Sequence, residues 1–300
     1  MENHQHLVAG WMGGIFGIAV GHPMDTIKTH QQISNDKLST REAIKRIFNK
    51  SGFHGFFRGM LFPLIGAGGL NSLYFGTIDA YLGQLDLQKD HISVYPQNND
   101  WMQNLFIAGS IGGAAQTLIT CPSELIKIRM QLGKGVIKDK VYTNQPAKKL
   151  RTSHVILDVY TKYGLHGFFV GFMPTLLRDA VGGGAYILSY QCTRHYMSGK
   201  LNLSPAGFFE TVVAGGVAGF ASWLPVIPFD TIKCRMQSDT FQNPKYKGML
   251  HCSWDLFHRT GYHGFFKGLP IILVRSVPVN CAIMCGYELT LWCFRNNDKS

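Results

Sequence analysis

The sequence predicts an all-α membrane protein: six tilted transmembrane helices in three pseudo-symmetric repeats, with a short helix in each basic loop. Three observations carry that expectation. The stretch "HPMDTIK" at 22–28 closes an apolar run and recurs as "CPSELIK" at 121–127 and "IPFDTIK" at 227–233. A second motif recurs downstream of each, as "GFHGFFRG" (52–59), "GLHGFFVG" (164–171) and "GYHGFFKG" (261–268). The chain has 300 residues and only 16% of them are charged, low for a soluble protein.

The first helix of each repeat is read by aligning Pro23, Pro122 and Pro228. Thirteen residues upstream stand Gly10, Gly109 and Gly215, each after an alanine, and nine upstream stand Gly14, Gly113 and Gly219. Each first helix therefore reads AGxxxG, apolar residues, then Px[DE]xxK. In the first repeat "LVAGWMGGIFGIAV" holds no charge from Leu7 to Val20. Small residues four apart let helix backbones approach closely. A proline inside a helix removes a hydrogen bond and kinks the axis.

Basic loops follow, each with an amphipathic stretch: "TREAIKRIFNK" (40–50), "SHVILDVYTKY" (153–163) and "GMLHCSWDLFHRT" (248–260). After the HGFF motif comes a second long apolar segment, roughly 60–85, 172–197 and 269–294. Segments of about 25 residues exceed what a ~30 Å hydrocarbon core requires, so they tilt. The repeats occupy 1–90, 100–199 and 206–296 and are expected to form one transmembrane domain. A soluble helical core would explain apolar helices, but not six of spanning length with so few charges.

Loop charge predicts orientation. The three loops inside the repeats (33–58, 132–170, 238–267) hold 17 Lys and Arg residues. The opposite side holds only Lys89, Lys200, Arg295 and Lys299. An even helix count puts both termini on that poorly charged side. The net charge of +11 suits anionic lipid or anionic solutes. Nucleic acid is not an expected partner, because the basic residues lie in separate blocks with no recognition module. Seven cysteines show no CxxC pair and no metal spacing, so they read as packing residues in a reducing setting. No metal and no cofactor is expected.

The acid and lysine of each Px[DE]xxK motif lie where neighbouring repeats meet. Cyclic closure pairs Asp25 with Lys127, Glu124 with Lys233, and Asp230 with Lys28. Gln32, Gln131 and Gln237 stand nine residues past the three prolines. A wet ion pair is worth ~0–1 kcal/mol, so such a ring can close a path and still break. A permanent staple is the alternative, and it would block the only watered path.

With these motifs the sequence resembles the mitochondrial carrier (solute carrier 25) family along its whole length. The resemblance implies a central solute site between two alternately opening gates, in a monomer of the inner mitochondrial membrane. The basic loops and short helices would face the matrix and both termini the intermembrane space. The partners implied are a small-molecule metabolite and cardiolipin. The matching lipid positions are Gly52, Gly164 and Gly261, with Arg58 and Lys267 nearby and Val170 replacing the base in the second repeat. His30 stands where Arg129 and Arg235 stand in the other repeats. The family's cytosolic gate maps onto "IDAYL" (78–82), "YQCTR" (190–194) and "YELTL" (287–291). Cyclic pairing leaves one ion pair there, Asp79 with Arg194; Gln191 meets Leu291 and Glu288 meets Leu82. The solute-free protein is expected to rest open to the cytosolic side.

Departures from threefold symmetry point to the cargo. Thirteen residues before Asp79, Gln191 and Glu288 lie Gly66, Arg178 and Arg275, and Asp179 follows Arg178. Charges at membrane depth are functional by default. Arginine suits a carboxylate and aspartate a cation; an internal Arg178–Asp179 pair that packs helices is the alternative. "VGHPMDTIK", "LLRDA" and Trp223 in "ASWLPVIPFD" resemble the subgroup moving carnitine, acylcarnitines and basic amino acids. "AGWMGG", "LNSLYFG" and "GYELTL" resemble members linked with quaternary-ammonium and methylated amino-acid solutes. In that reading Arg178 and Arg275 hold carboxylate, Asp179 holds the cation, and Asn71 faces the path. Trp223, Tyr74 and Tyr186 offer aromatic faces or pack helices. Pro278 is kept on the last even helix, whereas Gly69 and Val181 replace the prolines of the other two. The expected activity is alternating-access transport, not catalysis. A carrier-fold adaptor without transport and an acylcarnitine exchanger are the alternatives.

Overall fold

The computed structural model describes residues 2–34, 38–84, 99–132, 151–201, 208–239 and 244–297. The regular structure among them is helical. The long helices are α1 (Glu2–Ile33), α3 (Leu61–Gln84), α4 (Asn99–Leu132), α6 (Phe172–Leu201), α7 (Phe208–Gln237) and α9 (Leu269–Asn297). The short ones are α2 (Thr40–Ser51), α5 (Thr152–Tyr163) and α8 (Met249–Thr260). The order long–short–long repeats three times. The shortest long helix, α3, has 24 residues and so spans about 36 Å at 1.5 Å per residue. Among the described residues, Trp101–Leu132, Val213–Gln237 and Tyr262–Ile283 are long and apolar enough to cross a membrane by composition alone. Helices α1, α4 and α7 run through Pro23, Pro122 and Pro228 without ending.

The short helices form as their patterns dictate. Each buries an i, i+4 pair: Ala43 and Ile47, Val155 and Val159, Cys252 and Leu256. Helix α2 opens on a capping box. The Glu42 N–H donates to Ser39 Oγ at 3.3 Å, and the Ser39 N–H donates to Glu42 Oε2 at 3.0 Å. The Ser39 N–H, donating to it, holds the Glu42 carboxyl below its ordinary range. Burial on the inner face of α8 pushes the Cys252 thiol up to about 12, which suits the packing role expected of it.

Two glycines frame each HGFF segment. Gly52, Gly164 and Gly261 end the short helices at φ +62°, +61° and +63°, with ψ near the extended limit. Gly59, Gly171 and Gly268 turn the chain into the next long helix at φ +80°, +77° and +85°. Side chains are strained in both conformations. A Cβ at Gly164 would meet no atom within 4 Å, so its cost is backbone strain alone. Gly164→Ala is expected to destabilise the protein by about 1–3 kcal/mol, read as a lowered melting temperature of the purified protein.

The chain divides into two compact units. Residues 1–68, 121–171 and 231–300 form the first. There α2 packs Ala43 and Ile47 on Ile27, Leu38 and Phe56. Helix α5 packs Val155 on Ile126 and Met130 of α4, and Cys234 of α7 meets Ile128 and Leu132. Helix α1 lies along α9 through Gly13, Gly17 and Gly21, which face Gly286, Ile283 and Val279. Residues 69–120 and 172–230 form the second unit, around Tyr74, Ile78, Leu82, Leu105, Ala108 and Ile187.

Close approach does not follow the AGxxxG frame evenly. In the second repeat Gly109 and Gly113 press on the backbone of Gly183 and Asp179 in α6. At Gly10, Gly14, Gly215 and Gly219 a Cβ would meet nothing within 4 Å. The first repeat instead uses a glycine stripe displaced by three residues, starting at Gly13, because that face of α1 turns toward α9.

Candidate functional site

The three Px[DE]xxK motifs place their charges at the C-terminal ends of α1, α4 and α7. In the first unit Lys127 Nζ donates to Asp25 Oδ2 at 2.7 Å. Arg275 Nε lies 3.0 Å from Asp25 Oδ1, so one carboxylate serves two cations. The Lys233 ammonium, on a side chain 1% exposed, is in contact with the Glu124 carboxylate. Lys28 belongs to this unit and Asp230 to the other.

The glutamines repeat the same cyclic sense. Gln131 Nε2 donates to Thr26 Oγ1 at 3.2 Å, and Gln131 Oε1 accepts from Thr29 Oγ1 at 3.0 Å. Gln32 Nε2 donates to Thr231 Oγ1 at 3.4 Å, and Gln237 Nε2 reaches the Cys121 carbonyl at 3.5 Å. Repeat two thus grips repeat one, repeat one grips repeat three, and repeat three grips repeat two. All three glutamines are buried, where a lost partner is costly.

Beyond the glutamines, cations cap the helix ends. Arg235 donates to the carbonyls of Gln32 (3.0 Å) and Ser34 (2.9 Å), and Lys267 donates to Ser34 at 2.9 Å. Arg129 donates to Asp239 O at 3.0 Å, just past α7. Position 30 would serve the end of α4 by the same rule. It is histidine, and Lys50 donates to Leu132 O at 3.1 Å instead. Positive charge belongs at these carbonyls, which lack helical donors and sit at the negative end of the dipole.

In the second unit Arg178 and Asp179 are neighbours on α6. Arg178 Nε donates to Asp179 Oδ1 at 2.7 Å, Nη2 contacts the same oxygen, and Nη1 lies 3.5 Å from Asp230 Oδ1. Thr117 Oγ1 donates to Asp179 Oδ2 at 3.3 Å. The three charged side chains are 12%, 6% and 2% exposed for Arg178, Asp179 and Asp230. Tyr74 is buried and its hydroxyl donates to Gly183 O at 2.8 Å, which gives it a packing role. Tyr186 stacks with Tyr190 at 6.4 Å, and Trp223 is half-buried on α7. Arg194 lies 5.8 Å over the Tyr190 ring, Gln191 is half-buried and Asp79 is exposed. The side chains of Asn71 and Glu288 lie outside the described residues.

Sequence comparison decides the family. The sequence matches Mitochondrial carrier protein over residues 1–86, 98–201 and 204–297. The chain belongs to the mitochondrial carrier family. Mouse solute carrier family 25 member 45 is 34% identical, with 96% of this chain and 99% of the relative covered. Human solute carrier family 25 member 48 is 31% identical, over 98% and 96% of the two chains. The rat mitochondrial basic amino acids transporter is 31% identical, over 97% and 90%. The family sets this carrier in the inner mitochondrial membrane as a multi-pass protein that transports small metabolites.

Some residues that hold these helix ends of the carrier together were not singled out by the motifs. Thr26 and Thr231 receive Gln131 and Gln32, and each also donates to the HGFF segment of its own repeat, to Phe56 O and Phe265 O at 2.9 Å. The signal was the repeated "DTIK" of the first and third motifs. The second motif has Leu125 there, and Cys121 Sγ reaches Phe168 O at 3.8 Å in its stead. His22 Nε2 bonds Arg58 O at 2.9 Å, a long-range contact that no spacing announced.

Proposed function

We propose that this carrier moves a zwitterionic or cationic solute by alternating access: a carnitine-like compound, or a basic or methylated amino acid. The observation that carries the reading is the Arg178–Asp179 pair, almost wholly buried beside Asp230. Pulling that pair apart unaided would leave uncompensated buried charges. A zwitterion compensates both at once, its carboxylate taking Arg178 and its cationic group taking Asp179. A simple cation takes the aspartate and offers the arginine nothing, and a simple anion takes the arginine and offers the aspartate nothing. Arg275 is the second carboxylate donor, and the Trp223 and Tyr186 faces suit an alkylated ammonium. A relative named for basic amino acids supports the same class.

Asp25–Lys127 and Glu124–Lys233 act as ion pairs of a matrix gate braced by Gln32, Gln131 and Gln237. Their contacts support a carrier that rests closed to the matrix and open to the cytosolic side. Asp79 with Arg194 makes the one ion pair of a thinner cytosolic gate, in which Gln191 meets Leu291 and Glu288 meets Leu82. The basic loops face the matrix and both termini the intermembrane space. The carrier works as a monomer, with cardiolipin at Gly52, Gly164 and Gly261, where positive-φ glycines start the HGFF turns.

A thermal-shift screen of the purified carrier tests the cargo, with carnitine, acylcarnitines, arginine, lysine, trimethyllysine and choline against wild type and Asp179→Asn. A solute that binds only the folded state raises its stability, by about 2.7 kcal/mol at a hundred times Kd. A zwitterion with separated charges is expected to stabilise wild type and not the variant. Stabilisation by dicarboxylates or nucleotides would overturn the class.

A further inference from the structure

Arg178 and Arg275 occupy equivalent positions, yet they behave differently. Arg178 spends Nε and Nη2 on its own neighbour, Asp179, and only its Nη1 approaches Asp230, at 3.5 Å. Arg275 has Ser276 beside it and reaches across to Asp25 on α1. The residues packed between the helices differ at the two places as well. Two positions before each motif proline stand Gly21, Thr120 and Val226. Four positions after each arginine stand Gly182 and Val279. Between α6 and α7 the large residue is Val226 and the small one Gly182: a Cβ at Gly182 would lie 2.9 Å from Val226 Cγ2. Between α9 and α1 the sizes are exchanged. A Cβ at Gly21 would lie 2.8 Å from Val279 Cγ2, 3.0 Å from Arg275 Nε and 3.3 Å from its Nη2. The guanidinium therefore lies directly against the bare backbone of Gly21.

Two more observations give this slot a chemistry. Lys127 and Arg275 share the single Asp25 carboxylate, so the trio carries one surplus positive charge. Arg275 Nε is buried and, among the described residues, makes no hydrogen bond; it meets Asp25 Oδ1 as an ion pair. A buried donor whose one carboxylate neighbour is shared and not hydrogen-bonded to it, in a cluster of net positive charge, favours an incoming carboxylate.

We infer that Gly21 is a positioning residue that makes the carrier select solutes bearing a carboxylate. Its missing side chain seats the Arg275 guanidinium against α1, where Nε meets Asp25 Oδ1 at 3.0 Å without a hydrogen bond, so that a solute carboxylate can displace Asp25 from it. A carboxylate that takes Arg275 leaves Asp25 to Lys127 alone and so loosens the ring from its solute side. This rests on the assignment of Arg275 to the solute carboxylate under the proposed function.

The test is a double-mutant cycle on the full-length carrier: Gly21→Val, which copies Val226, Arg275→Gln, and both together. Melting temperature without solute is the first readout. Gly21→Val is expected to lower it in the wild-type background and to lower it less beside Arg275→Gln, where the contact with Val279 remains and the one with the guanidinium is gone. An equal loss in both backgrounds would mean that Gly21 only clears Val279, and the inference falls. The second readout is uptake of L-arginine and of agmatine, its decarboxylated counterpart, into liposomes. The ratio of their kcat/KM values is expected to drop at least tenfold in either single variant and no further in the double. An unchanged ratio in Gly21→Val overturns the inference. If wild type takes up neither compound, the cargo reading has failed, and the melting-temperature cycle still decides whether Gly21 places Arg275. Should Gly21→Val not fold, Gly21→Ala carries the same cycle, because its Cβ already meets the guanidinium.

Discussion

Arg178→Gln is expected to abolish transport and to destabilise the carrier by about 3–5 kcal/mol, the scale for removing one partner of a buried ion pair. The variant strands Asp179, whose remaining side-chain donor shown is Thr117 at 3.3 Å, and withdraws a cation from Asp230. Arg178→Gln/Asp179→Asn removes both charges of the pair and is expected to recover much of the melting temperature without recovering uptake. Melting of the purified variants, beside uptake of arginine, lysine and carnitine into liposomes, separates the two losses. Wild-type melting in Arg178→Gln would show that the pair contributes nothing to the fold. Full uptake in the double variant would remove it from the solute path.

Gly113→Val is the second large effect, and its control lies in the same motif. A side chain at Gly113 collides with the Asp179 carbonyl, which belongs to backbone and cannot swing aside. Overpacking costs about 1–3 kcal/mol where side chains can adjust, and this contact is expected to reach the top of that range. It also displaces Asp179, so transport should fall with stability. Gly14→Val places a side chain where a Cβ meets no atom within 4 Å, and is expected to change the melting temperature little. The two positions are indistinguishable in the AGxxxG pattern. Equal melting of the two variants would show that α4 and α6 do not approach as described.

The lesson of that comparison extends to the rest of the molecule. Helix count, order and ends were legible because apolar run length, prolines and the HGFF glycines are local signals. The short helices α2, α5 and α8 fall within a residue or two of the stretches read as amphipathic. The pairing of Asp25 with Lys127 and of Glu124 with Lys233 was legible as well, since threefold repetition turns sequence offset into spatial offset. The Arg178 contact with Asp230 was not. Nothing local tells which of two rotamers a long side chain takes when several carboxylates lie within its reach. Tyr74 is the same case: its spacing allowed a face on the path or a place in the core, and its hydroxyl bond to Gly183 O selects the core.

The sequence by itself determined the helices, their threefold order, the family and the residue types that carry charge into the membrane. These follow from periodicity and repetition, which are properties of the chain alone. Tertiary structure decided which glycines touch, which threonines receive the glutamines and which acids the two arginines hold. Those choices depend on the rotation of each helix about its axis, and a difference of one residue turns an α-helical face by about 100°.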